Sequence, residues 1–227
     1  MTPVLAGTAP WVIPYGVDRP PADIAATAGL ACVCLRPGEV LRFNNETFDL
    51  PAPAIGQETV ALDIRLAERL KRLSGDWNRT ALLFIDGYFT YLRAAIAAHR
   101  EEIAAQFGPL AGLFAPEDVL YSAPLPLPRA LVPLPGDSGA DLVPVDVLFW
   151  LGDAAKGALF APSPLLPGAE RRRRERLAAA GIDVHVLTAA DLARPGTFAG
   201  LLGERGCTFW RDEILPAAPG APSLPEF

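Results

Sequence analysis

The stretch from Asp141 to Leu202 constrains this chain more than any other. It reads DLVPVDVLFWLGD, then AAKGALFAPSP, then GAERRRRERLAAAGIDVHVLTAADLARPGTFAGLL. Val143 to Leu151 is dense in β-branched and aromatic residues, with Pro144 near the start, where a strand tolerates a missing donor. Gly152-Asp153 marks a turn, and Gly157 to Ala161 is a second short apolar run. From Gly168 to Ala180 the period changes. A charged run, Glu170 to Arg176, leads into good helix formers, and Gly181 is placed as a C-terminal cap. Asp183 to Leu187 reads as a buried strand, and Thr188 as the N-cap of the turn after it. The order strand, strand, helix, strand, helix predicts an α/β (α+β) fold, a mixed central sheet flanked by helices. Residues 141–161 should be adjacent antiparallel strands, with the helix of 168–180 laid over them.

Upstream, Gln57 to Leu73 has the period of an amphipathic helix, with Leu62, Leu66, Leu70 and Leu73 on one face. Thr80 to Phe107 predicts a second, long helix, weakened at Gly87 and stopped by Gly108-Pro109. Residues 1–56 read as a small strand-rich N-terminal extension, through Trp11-Val12-Ile13 and Leu30 to Leu35, with a short helix at Ala22 to Ala28. The prolines of Ala115 to Pro135 forbid a central strand. That segment is an edge strand, or a polyproline arm able to dock a partner. The expected organisation is therefore 1–56 as extension, 57–210 as core and 211–227 as a Pro-rich tail.

Composition bears on function through charge. A net charge of −6 and a pI near 5.0 oppose binding of nucleic acid over the whole surface, though a local basic face remains open. Among 20 basic residues only Lys71 and Lys156 are lysines, the bias of a GC-rich bacterial genome. Cys32, Cys34 and Cys207 are too few for a disulfide framework. The Cys-x-Cys pair shares one strand face and is expected to be buried or inert. No basic, then apolar leader and no run of about 18 apolar residues stands out, so a cytoplasmic protein without membrane contact is expected.

The residues able to carry chemistry are few. Asp146 sits among apolar neighbours mid-strand, where an unpaired charge is costly, so it requires a metal ion or an arginine from the helix of 171–176. Asp153 and Lys156 flank the turn. Arg171, Arg172, Arg173 and Arg174 are the densest basic cluster, suited to phosphate but pointing all round a helix. His185 alternates with Val184 and Val186 on a strand.

The arginine helix, LAAAGIDVHVLTAADL and the Arg-Pro that follows resemble the closing half of restriction-endonuclease-like domains, over about residues 118–205. These form the PD-(D/E)xK superfamily, with relatives of the very-short-patch-repair endonuclease. The resemblance implies a restriction-endonuclease-like core and makes Asp146, in PVDV, the first metal-binding Asp. It also implies an acid, one residue and a Lys on the next strand, where this chain has Gly157-Ala158-Leu159-Phe160-Ala161-Pro162. The expectation is a non-catalytic nuclease-fold domain, a binding or assembly module with a protein partner and no cofactor. One alternative is a Mg²⁺-dependent nuclease with a migrated site, in which Asp146, Asp153 and Lys156 act and Arg171 to Arg174 hold nucleic acid. Another is an unrelated α/β protein that binds a small molecule or a partner.

Overall fold

The computed structural model describes residues 11–17, 29–44, 59–75, 78–108, 113–136, 139–194 and 196–211. Trp11–Pro14 (β1) and Cys32–Leu35 (β2) pair antiparallel. Alternation buries Ile13, Val33 and Leu35 and leaves Cys32 and Cys34 exposed, so these thiols are not core residues. The helix expected at 22–28 lies outside the described residues.

Thr59–Ser74 (α1) buries Leu66 and Leu70, as leucines four apart on one face require. The side chain of Leu62 lies outside the described residues. The single long helix expected next is two: Arg79–Ala98 (α2) and Arg100–Phe107 (α3). The Asn78 side chain caps α2 by accepting the Ala81 N–H at 3.1 Å. The break falls at His99 (φ −114°, ψ 19°), whose ring stacks on Trp210 with centroids 4.1 Å apart, and not at Gly87.

Gly87 matters for packing instead, because a Cβ there would lie 2.9 Å from the Phe198 ring. The glycine admits that ring against the helix. Gly87→Ala should therefore destabilise the protein by about 1–3 kcal/mol, even though alanine favours a helix by about 1 kcal/mol. Chemical denaturation measures the difference, and a net gain in stability would mean that Phe198 is free to move aside.

By length and apolarity α2 could cross a membrane, but Phe84, Ile85, Tyr88, Phe89, Leu92 and Ile96 are buried within the protein. That is the pattern of a core helix.

Pro116–Ser122 is a 3-10 helix, where extended chain was expected, with Val119 and Leu120 in the core. Leu127–Gly136 (β3) is an edge strand, and Pro124, Pro126 and Pro128 at its start are buried. The Tyr88 hydroxyl donates to the Pro124 carbonyl at 2.6 Å. With Pro124, Pro126 and Pro128 inside, that stretch is no exposed docking arm.

Gly139–Trp150 (β4), Ala155–Phe160 (β5) and Ile182–Leu187 (β6) complete a sheet of order β3-β4-β5-β6. The first two pairings are antiparallel and β5–β6 is parallel, which demands a crossover. Pro167–Ala179 (α4) supplies it. Pro144 stands well inside β4, opposite Leu131, and is tolerated there because β5 pairs with β4 only from Val147 onward. Gly152, at φ 89°, makes the β4–β5 turn. Gly181, at φ 87°, ends the helical turn before β6, as its place after the apolar run predicts. Thr188 and Asp191 form a capping box on Ala189–Leu192 (α5), and Thr197–Cys207 (α6) follows.

The protein is thus mixed α/β, with helices on both faces of the larger sheet. Val145, Val147 and Phe149 alternate with Asp146, Leu148 and Trp150 along β4. Phe84 of α2 meets Phe149, Phe160 and the α6 residue Phe198 on the first face. On the second, α4 lays Leu177 into the core. β1 and β2 join the same core, where the Gly16 N–H donates to the Pro128 carbonyl at 2.8 Å.

Candidate functional site

Asp146 projects from β4 towards α4. Its Oδ2 accepts the Phe160 N–H at 2.8 Å and a hydrogen bond from Arg173 Nη2 at 3.2 Å. Arg173 Nε lies 3.3 Å from Glu170 Oε2, and Glu170 accepts the Ser163 hydroxyl at 2.8 Å. Helical spacing explains the grouping: Glu170, Arg173 and Leu177 fall three and four apart on the inward side of α4. The Arg173 side chain is 9% exposed. Burial pushes the Asp146 carboxyl above the usual aspartate range, while the Arg173 guanidinium and the Phe160 N–H pull it down and Glu170 pushes it up.

Lys156 does not meet Asp146. The register sets Phe149 opposite Lys156 and Val147 opposite Ala158, so Lys156 belongs to the Phe149 face and Asp146 to the other. The β5 residues on Asp146's face are Ala155, Gly157 and Leu159, all uncharged. Lys156 Nζ instead bonds Asp183 Oδ2 at 2.6 Å, and His185 Nε2 lies 3.3 Å from the same oxygen. The hydrogen bond from Lys156 holds the Asp183 carboxyl below its ordinary range, with help from His185. Asp153 is exposed at the turn and pairs with Arg205 at 2.9 Å. The three residues that a migrated nuclease site needs are therefore in three places.

Among the described residues, no three His, Cys, Asp or Glu side chains gather where they could hold a metal ion. The Asp146 site does not fit Mg²⁺. Its two carboxylates already enclose a guanidinium, and Mg²⁺ demands near-octahedral oxygen ligands.

The arginine cluster divides. Arg173 turns inward and cannot face a nucleic acid, whereas Arg171, Arg172 and Arg174 lie on the outer side of α4. Arg171 lies 3.7 Å from Glu175, and Arg172 and Arg174 have no ion-pair partner among the described residues. Arg171 and Arg174 border a groove of about 480 Å³ between α4 and β6, floored by Ile182, Val184 and Val186. Sequence reasoning did not find the groove or the Lys156–Asp183–His185 cluster. The i, i+2 spacing of Asp183 and His185 was visible, but Lys156 joins them only through the parallel β5–β6 register. No protein-family model, no curated protein and no solved structure matches the chain.

Proposed function

We propose that this chain is a non-catalytic domain of nuclease-like fold that works as a binding or assembly module for a protein partner. One observation carries the reading: the Arg173 guanidinium lies between Asp146 and Glu170, at 3.2 and 3.3 Å. In the endonuclease-like arrangement that the sequence resembles, a metal ion balances this Asp, and an acid and a Lys project from the next strand. Here an arginine provides the balancing charge, and β5 turns Gly157 and Leu159 to that face. The three-strand meander, crossover helix and parallel fourth strand support a restriction-endonuclease-like core as the finer description of the fold. The cytoplasm suits a chain whose most apolar helix is packed inside its own core.

Purified protein should leave single- and double-stranded DNA and RNA intact in the presence of Mg²⁺ or Mn²⁺. Asp146→Asn should change folding stability and no rate of cleavage. Metal-dependent cleavage that disappears in Asp146→Asn would overturn the reading and favour the nuclease with a migrated site.

A further inference from the structure

β6 is the outer strand of its sheet, and among the described residues only β5 pairs with it. The Leu187 carbonyl accepts the Ala161 N–H at 2.9 Å on the inner side. Alternation therefore turns the backbone groups of Ile182, Val184 and Val186 outward, to the open edge. Open edges are normally guarded by proline, lysine or a bulge. β6 reads IDVHVL, without proline or lysine, and its register with β5 runs unbroken.

The side chains of those three residues floor the groove under α4, where Val186 keeps 43% exposure. Arg171 and Arg174 stand at its rim. Glu175 and Asp183 also border it, but Glu175 pairs with Arg171 and Asp183 with Lys156. Arg174 is left as an unpaired cation among the described residues, beside an apolar floor and a row of open backbone groups.

We propose that this edge receives an extended acidic segment of a partner protein, added as a further strand beside β6. Apolar residues on its groove-facing side cover Val184 and Val186, and a carboxylate on that same side meets Arg174 at the rim. The proposal rests on the binding-module reading and gives that module its contact surface. A second copy of the chain is disfavoured, because β6-to-β6 pairing sets two arginine-rich α4 helices side by side. A nucleic acid is disfavoured too: a phosphate backbone cannot continue a strand ladder, and valines offer phosphates no bonds.

The test uses the full chain and a short fluorescein-labelled peptide in which valine and glutamate take turns at every second position, with threonine between them, so that both lie on the face turned to the groove. Binding is followed by anisotropy. The peptide should bind, and its counterpart with lysine for glutamate should bind about ten-fold more weakly or worse. The double variant R171E/R174E, at two positions on the groove rim, should reverse that order. Val186→Pro removes an outward N–H while sparing the β5 ladder, and should weaken binding about ten-fold. Circular dichroism checks that both variants fold, and if Val186→Pro does not, the charge reversal decides alone. Equal binding of both peptides, or no binding, overturns the proposal. So does an oligonucleotide bound through Arg171 and Arg174 in place of the peptide, or self-association through β6 seen in sedimentation. The cleavage assay is separate: a nuclease result overturns the non-catalytic reading and leaves a positive peptide result standing.

Discussion

Arg173→Met should destabilise the protein by about 3–5 kcal/mol, the usual cost of leaving a buried ion pair with one partner. Methionine replaces the aliphatic stem but not the guanidinium, so the charge goes together with only part of the packing. Among the described residues Asp146 then keeps the Phe160 N–H and Glu170 the Ser163 hydroxyl. The pH dependence identifies the cause. Burial already raises the folded-state pKa of Asp146 above its unfolded value of about 3.9. A raised carboxyl contributes stability that is fully present below the unfolded pKa and lost as pH rises through the folded one. Without Arg173 that folded value climbs further. The deficit of Arg173→Met should be small near pH 4 and grow towards neutrality, and Asp146→Asn in the same chain should recover part of it. Urea denaturation from pH 4 to 8 measures both effects. A deficit independent of pH would mean that Arg173 matters only for packing.

The same residues show how far a sequence can be read. The β4–β5 turn, the end of α4 and the Thr188 cap were legible because each rests on local chemistry: a Gly-Asp turn, a glycine after a helix, a Thr before a short helix. β6 was legible as a strand, but it is a half-exposed edge strand and not the buried one its valines suggest, because its place in the sheet is not local. An arginine of the 171–176 helix as the partner of Asp146 was one of two readings the sequence left open, without saying which arginine turns inward. What it could not supply was register. Side chains alternate every residue along a strand, so whether Lys156 shares a face with Asp146 depends on which residue of β4 it opposes. The break at His99 was hidden for a related reason. It coincides with the stacking of His99 on Trp210, far along the chain, while the glycine that looked like a weak point is held in the helix beside Phe198. Likewise the prolines before β3 left an edge strand and a docking arm both open, because nothing local says that Tyr88 will meet the Pro124 carbonyl.

Phe84 is where that long-range packing converges, and Phe84→Ala should cost about 3–5 kcal/mol. Its side chain is fully buried, with ring centroids 5.5 Å from Phe160, 6.2 Å from Phe149 and 5.2 Å from Phe198. Those rings come from β5, β4 and α6, so a single deletion loosens α2 from the sheet and from the closing helix together. The cavity cannot collapse easily. β4 and β5 are fixed by their ladder, and Phe198 is already lodged against Gly87. Phe84→Leu, which refills most of the volume, should cost less than half as much. Equilibrium denaturation without detergent measures both variants and tests the placement of α2 at the same time. A helix whose apolar side met lipid would lose little on truncation at Phe84 under those conditions. A loss below about 1 kcal/mol in Phe84→Ala would therefore show that α2 does not pack on this sheet.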